Sequence, residues 1–278
     1  MKSRRGARLP KAAALKESSQ LTPTDFTPTP ELLSLYNARY LESRGEDLER
    51  ILAMRDDFAG DVPRVVELGS NRGAFLKGLA LRSAEPVLGI EWREKNCRIA
   101  LETFEQDGIS NARVLHADAK LAIPLLFEPG GLDEVHVLFP DPWWKDRHAA
   151  RRLLDPMFLR VLARRLAPDG ALYLKSDVFD YLHRVRDAAT VSEVMRPLPP
   201  ERWPNEHNWS LSTRERKCMR GGIPFGRGYF TPSHGFDPVL PTEPERSEDF
   251  PMPDSVDAEA VIKGVPPVDK ASQGRSRR

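Results

Sequence analysis

Five acidic residues stand at or just beyond the ends of strand-like segments, where their carboxylates could meet around one ligand. The segments "RVVEL", "PVLGIE", "ARVLHAD", "EVHVLF" and "ALYLKSD" alternate with stretches of helical spacing. Ligands of doubly wound sheets bind at the carboxyl ends of the strands, so these acids are the first candidates for a functional site. In chain order they are Glu67, Glu91, Asp118, Asp141 and Asp177.

The loop after the first of these segments, "ELGSNRGAFL", places Gly69 and Gly73 between a strand and a helix. It lacks the full glycine fingerprint of a dinucleotide site, because Asn71 stands at an expected glycine; asparagine tolerates left-handed dihedral angles better than most residues. Acids at the first three strand ends suit a ligand with a ribose diol, an amino group and a sulfonium. S-adenosylmethionine carries all three. A nicotinamide dinucleotide is an alternative ligand, and acids that only cap helices are another interpretation.

Within a site for S-adenosylmethionine, each part of the ligand has a candidate partner. We expect Glu91 to bind the ribose hydroxyls, and Asp118 with the following Ala119 to face the adenine edge. We expect Glu67 and the backbone of Gly69 to lie near the methionine part. The histidines show no metal-binding spacing, so no metal is predicted.

Strand and helix patterns alternate five times, which predicts an α/β fold with a parallel sheet covered by helices on both faces. We expect one domain at residues 29–235, a disordered basic tail at 1–28 and a disordered proline-rich tail at 236–278. The formal net charge of +1 conceals a local imbalance, since the first twenty residues hold six cations and one acid. A near-neutral total therefore does not argue against a nucleic-acid partner.

The two cysteines, Cys97 and Cys218, lie far apart without a CxxC spacing, which favours a reducing compartment. No apolar run reaches the length of a membrane span, and we expect a cytoplasmic protein without a membrane partner. An organelle transit peptide is the alternative for the arginine-rich start. The sequence does not indicate an oligomeric state, and a monomer is compatible with it.

The stretch "FPDPWWKDRHAARR" passes from a buried strand to an acid, two tryptophans and a dense basic run. Two prolines enclose Asp141 and stiffen the strand end around it. Cations at the start of a helix are poorly placed for the helix dipole. Phosphates of a nucleic acid would supply the missing anions, which makes the basic run a candidate RNA surface.

Taken together, "ELGSNRG", "GIE", "HADA", "FPDPWWKDRHAARR" and "LKSD" resemble the tRNA (guanine-N(7)-)-methyltransferase family of the class I methyltransferases, over roughly residues 30–230. The resemblance implies a Rossmann-like, doubly wound, mostly parallel seven-stranded sheet. It also implies transfer of the methyl group of S-adenosylmethionine, without a metal, to N(7) of a guanosine in the variable loop of tRNA. An amino-methyltransferase acting on adenine or cytosine and a non-catalytic tRNA-binding protein with the same fold are the alternatives.

The resemblance also implies roles for particular residues. It matches Glu67, Glu91, Asp118 and Asp141 to cofactor-contacting acids, and Asp141 also to the catalytic residue. The residues matched to substrate and tRNA binding are Lys145, Arg147, His148, Arg151, Arg152, Asp177, Ser212, Thr213, Arg214 and Glu215. The register of the last four is open. Without gaps, Glu215 matches the glutamate of the motif, Arg214 replaces its aromatic residue and Ser212 replaces its threonine; with one deletion, Thr213 supplies the hydroxyl.

Overall fold

The computed structural model describes residues 28–58, 62–143, 152–191, 193–206 and 209–233. Both predicted tails lie outside the described residues, apart from Pro28 of the first, so the predicted domain limits stay a prediction. In the described part of the chain, no helix is long and apolar enough to cross a membrane.

The described residues form one seven-stranded mixed sheet in the order β3-β2-β1-β4-β5-β7-β6. Strands β1 to β5 are mutually parallel, and β7 runs antiparallel to both β5 and β6. The predicted α/β, doubly wound, mostly parallel sheet is therefore confirmed. The strands are β1 Val65–Leu68, β2 Val87–Glu91, β3 Ala112–His116, β4 Leu132–Leu138, β5 Leu166–Ser176, β6 Met195–Pro197 and β7 Gly226–Pro232.

Helices cover both faces of this sheet. They are α1 Pro30–Leu35, α2 Ala38–Glu42, α3 Gly45–Asp57, α4 Ala74–Arg82, α5 Glu94–Gln106, α6 Ala119–Leu126, α7 Pro156–Arg165, α8 Phe179–Val191 and α9 Thr213–Gly221, with a short 3-10 helix at Pro200–Arg202. Successive strand residues point to opposite faces. Val66 and Leu68 accordingly join the larger core with α3, α6, α7 and α8, whereas Val65 packs against the smaller core with α4 and α5.

The strand order reverses between β1 and β4, and this reversal opens a crevice at the carboxyl edge of the sheet. The parallel register aligns the strand ends there. Glu67 lies opposite Gly89 of β2 and His136 of β4, and Glu91 lies opposite His116 of β3. The loops that follow these strands therefore meet at one edge, as the sequence predicts.

Two elements differ from the sequence-based prediction. Strand β5 begins at Leu166, directly after α7, because Leu166 pairs with Leu132 before a register shift in β4. The arginine-rich stretch before β7, for which the sequence analysis predicts no helix, is helix α9. Its start is fixed by a capping box between Ser212 and Glu215, and its end by Gly222 in the left-handed conformation.

Candidate active site

The loop between β1 and α4 turns through three left-handed residues. Gly69, Asn71 and Gly73 have φ angles of +79°, +51° and +74°. The left-handed conformation of Asn71 confirms that asparagine serves in this turn. A Cβ at Gly73 would lie 2.6 Å from Cζ of Phe104, so glycine permits close packing of the loop on α5. Gly69 has no such neighbour within 4 Å and leaves backbone open at the crevice.

Glu91 ties the β1 and β2 loops together. One carboxylate oxygen accepts a hydrogen bond from the backbone N–H of Asn71 at 2.9 Å, and the other accepts from that of Arg93, also at 2.9 Å. The side chain is buried. Both oxygens keep a further lone pair, so this carboxylate can still accept from a ribose diol.

Glu67 is the least compensated of these acids. Its side chain is buried, and burial raises the pKa of its carboxyl from 4.5 to about 8, with a smaller contribution from Glu91. The backbone N–H of Leu76, at the start of α4, bonds to the carboxyl and opposes the rise in pKa. The oxygen Oε2 has no hydrogen-bond partner among the described residues. Buried polar atoms are rarely left so, which points to a ligand with a donor or a positive charge.

Asp118 stands at the N-terminus of α6, and Ala119 is the first residue of that helix. The Oδ1 atom of Asp118 accepts from the backbone N–H of Lys120 at 2.9 Å, and Oδ2 accepts from the hydroxyl of Tyr36 at 2.8 Å. Burial, with the charge of Asp118, raises the pKa of Tyr36 well above its ordinary value. The acid is thus both a helix cap and a candidate adenine ligand, and the two interpretations of strand-end acids are compatible here.

Tyr36 is a site residue that the sequence analysis missed. It lies between α1 and α2, 82 positions before Asp118, and its ring stacks on Tyr40 with centroids 4.6 Å apart. A buried ion pair between Glu31 and Arg165 ties α1 to α7 and so holds this segment beside α6. No local pattern in "LSLYNARYL" signals such a distant contact.

Asp141 lies between two strained residues. Phe139 and Trp143 have φ angles of +54° and +43°, a region that bulky side chains rarely adopt. The backbone N–H of Phe139 donates to the carbonyl of Lys175 at 2.7 Å, which fixes the start of this turn to β5. Asp141 itself is exposed at the crevice edge. Left-handed residues other than glycine are often found at functional sites, and the role of Asp141 stays a prediction.

Much of the predicted RNA-binding run, namely Lys145, Arg147, His148 and Arg151, lies outside the described residues. Arg152 is described, and its expected phosphate contact needs correction. Its side chain is buried, and Nε donates to the carbonyl oxygen of Trp143 at 3.2 Å. A buried guanidinium presents little surface to a phosphate. Arg152 instead supports the turn that carries Asp141.

The C-terminal substrate block forms ion pairs around β5. Glu215 is buried; one of its oxygens accepts from Lys175 Nζ at 2.7 Å and the other from the backbone N–H of Ser212 at 3.4 Å. Glu215 is thus held inside the protein by Lys175 and Ser212, and its contact with substrate stays a prediction. The Ser212 hydroxyl accepts from the backbone N–H of Glu215 at 3.1 Å, whereas Thr213 is the first residue of α9. This reciprocal pair favours the alignment without gaps.

Asp177, immediately after β5, is paired with Arg214 of α9 through both Nε and a terminal nitrogen. Glu206 extends the same charged network, since its carboxylate lies 3.2 Å from Lys175 Nζ and 2.7 Å from Arg227 Nε. Among the described residues, no group of three or more His, Cys, Asp or Glu side chains is placed to hold a metal ion.

Comparison with known proteins agrees with this geometry. A family described as "Putative methyltransferase" matches residues 61–224. A tRNA (guanine-N(7)-)-methyltransferase of Myxococcus xanthus (strain DK1622) is 33% identical over 180 residues, which cover 62% of this chain and 84% of the relative. One of Rhodopirellula baltica (strain DSM 10527 / NCIMB 13988 / SH1) is 31% identical over 229 residues, 79% of each chain. This chain belongs to the tRNA (guanine-N(7)-)-methyltransferase family.

Three further alignments are with a relative of the same name and with two solved structures. A relative from Bordetella pertussis (strain Tohama I / ATCC BAA-589 / NCTC 13251), with the same name, is 39% identical over 133 residues and is covered over 52% of its length. The solved 16S rRNA methyltransferase KamB aligns with a TM-score of 0.45 and 15% identity, over 65% of this chain and 93% of that one. The aminoglycoside resistance methyltransferase NpmB1 aligns with a TM-score of 0.41 and 18% identity, over 64% and 93%.

The residues present fit the co-substrate of an S-adenosylmethionine-dependent methyltransferase. The buried Glu67 oxygen, which has no partner in the ranges that the structure describes, suits a cationic or amino group, and the open backbone at Gly69 lets a ligand approach closely. Glu91 and Asp118 hold their carboxylates in fixed positions along the same edge. Of the predicted cofactor residues, the structure brings Glu67, Gly69 and Glu91 together around one loop.

Proposed function

We propose that this chain transfers the methyl group of S-adenosylmethionine to N(7) of a guanosine in tRNA, in the variable loop. The observation that carries the proposal is the buried Glu67 oxygen that no residue of the described part of the chain bonds, at the carboxyl edge where Glu91 and Asp118 also lie. Family membership supports RNA as the substrate. We also propose that the protein acts in the cytoplasm on its tRNA partner.

The chain's own residues would bind the co-substrate through three carboxylates. Glu91 would accept from the ribose hydroxyls, and Asp118, held by Tyr36, would face the adenine with Ala119. Glu67 and the backbone at Gly69 would lie beside the methionine part. When bound, S-adenosylmethionine supplies an activated methyl group on a positively charged sulfur.

Guanine N(7) is an unprotonated lone-pair acceptor, so no general base is needed for the transfer. The lone pair forms the new bond to the methyl carbon as the carbon–sulfur bond breaks, and the positive charge passes to the purine. The protein must therefore align three atoms, and such positioning lowers reaction barriers by several kcal/mol. Asp141, exposed at the crevice edge between the strained Phe139 and Trp143, would place a carboxylate near the developing charge.

Recognition of the guanine and of the RNA backbone would use different groups. Guanine presents hydrogen-bond donors at N(1) and its amino group, which suit a carboxylate such as Asp177, and acceptors at O(6), which suit Lys145. Phosphates would be bound by the basic run of Arg147, His148 and Arg151 and by exposed cations of α9 such as Arg216. Both acids of this block have a cationic partner, but the Asp177 side chain is 14% exposed and that of Glu215 only 3%, so Asp177 is the more accessible carboxylate for the base.

The decisive experiment is incubation of unmodified tRNA with labelled S-adenosylmethionine, followed by chemical cleavage at N(7)-methylguanosine. We expect label at one guanosine of the variable loop. Label on an exocyclic amino group would favour the amino-methyltransferase, and absence of both label and co-substrate binding would favour the non-catalytic protein. Asp141→Asn, which keeps the side-chain volume, should lose turnover while retaining tRNA binding. Asp133→Asn, at an exposed aspartate at the other end of β4, is the matched control.

A further inference from the structure

Arg214 covers the carboxylate that we assign to guanine recognition. Its Nε lies 3.1 Å from Oδ2 of Asp177, and a terminal nitrogen of the guanidinium bonds to the same oxygen. The Arg214 side chain is 48% exposed, whereas that of Asp177 is only 14% exposed. The guanidinium therefore lies on the more exposed side of the pair and occupies the Oδ2 atom of the acid.

The helix beneath Arg214 is held firmly. The next residue, Glu215, is buried in an ion pair with Lys175, and its capping box with Ser212 fixes the first turn of α9. Within the described ranges, the hydrogen bonds of the Arg214 side chain go to Asp177. The long Arg214 side chain can consequently leave the acid by rotation, without displacement of the helix.

The position of Arg214 also favours an anion. It lies in the first turn of α9, where the helix dipole disfavours a cation and favours a negative charge. Asp177 compensates for this in the free protein, and a phosphate could do the same. Arginine binds a planar pair of phosphate oxygens as readily as a carboxylate, so the two acceptors compete for one guanidinium.

We propose that Arg214 masks Asp177 in the free enzyme and moves to an RNA phosphate when tRNA binds, which uncovers Asp177 for the guanine donors. Arg214 is then a specificity residue: guanine is recognised when a polynucleotide backbone arrives with it, and free guanosine is disfavoured. The idea rests on the proposed function, in which Asp177 binds the base. In the alignment without gaps, Arg214 replaces the aromatic residue of the family's C-terminal motif.

The test is inhibition of tRNA methylation by guanosine, a probe that has the base but no phosphate. Exposed ion pairs stabilise by amounts that correspond to roughly two- to fivefold in binding. We therefore expect guanosine to inhibit Arg214→Gln about two- to fivefold more strongly than the wild type. The gain should vanish in the double variant Arg214→Gln/Asp177→Asn. Arg64→Gln, which breaks an exposed arginine–aspartate pair with Asp133 away from the crevice, should leave guanosine inhibition at the wild-type level.

Each outcome bears on a separate claim. Equal guanosine inhibition of wild type and Arg214→Gln, including no inhibition of either, overturns the masking role. So does a gain that survives loss of the Asp177 charge, because that gain would not come from the acid. If the wild type forms no N(7)-methylguanosine in tRNA, it is the proposed function that fails, before any variant is compared.

Discussion

Replacement of Glu67 by glutamine should stabilise the free protein and weaken its hold on the co-substrate. Burial raises the pKa of Glu67 from 4.5 to about 8, so the folded protein keeps this carboxyl protonated at pH 7 whereas the unfolded chain ionises it. A carboxyl whose pKa is higher in the folded than in the unfolded protein adds to the free energy of unfolding. That contribution is fully present below pH 4.5 and is lost progressively as the pH rises to about 8. Glutamine cannot ionise and escapes this loss.

The size of the effect follows from the two pKa values. One pH unit corresponds to about 1.4 kcal/mol, so the wild type loses roughly 3 kcal/mol between pH 4.5 and pH 7, and roughly 5 kcal/mol by pH 8 and above. The glutamine oxygen can still accept from the backbone N–H of Leu76. We expect Glu67→Gln to exceed the wild type in free energy of unfolding by about 3 kcal/mol at pH 7 and to match it near pH 4.5.

Urea denaturation of the ligand-free protein at pH 5, 7 and 8.5 measures this difference, with the exposed Glu105→Gln as control. Calorimetric titration with S-adenosylmethionine supplies the second half of the test. A cationic ligand favours the ionised carboxylate, so wild-type affinity should rise between pH 6 and 8 and that of Glu67→Gln should not. A stability difference that stays constant with pH would refute the reasoning.

Three further predictions concern residues around the crevice. Tyr36→Phe removes the hydroxyl that donates to Asp118, and denaturation should show a free energy of unfolding lower by about 1.5 to 3 kcal/mol. Binding experiments should show weaker affinity for the co-substrate and unchanged affinity for tRNA. Lys175→Met leaves Glu215 and Glu206 without their shared cation and should lower the free energy of unfolding by roughly 3 to 5 kcal/mol. The double variant Lys175→Met/Glu215→Gln should partly recover this loss. Arg152→Gln should lower turnover and leave the salt dependence of tRNA binding unchanged. If the plot of log affinity against log salt concentration became shallower by about one unit, Arg152 would contact a phosphate after all.

The sequence was sufficient where local pattern and strand alternation decide the outcome. The carboxyl-edge acids follow from strand ends alone, and the left-handed turn at Asn71 follows from residue type. Helix α9 was missed although its signal is present, since Ser212 and Glu215 have the spacing of a capping box and two glycines follow the helical stretch. That spacing was interpreted as a substrate motif rather than as a helix start.

Other features depend on contacts between distant segments, which a single sequence does not encode locally. Tyr36 reaches Asp118 because α1 is tied to α7 by a buried ion pair. The burial of Arg152 and of Glu215 likewise follows from tertiary packing, so an exposed role and a structural role look identical in the sequence. Charged residues in a functional motif are therefore ambiguous until their burial is known.

The carboxylates of the crevice divide into two groups by their partners, and this division matches the charges of the two substrates. On one side, Glu67 has an oxygen that no described residue bonds, and Glu91 is held by backbone amides rather than by a cation, so these acids are open to a positively charged co-substrate. Glu215 and Asp177 are already paired with Lys175 and Arg214. Unpaired acids there would repel RNA phosphates, whereas paired ones do not. Lys175 and Arg214 thus let the RNA polyanion approach an edge that is rich in acids. When Arg214 leaves Asp177, that carboxylate becomes available to the guanine base.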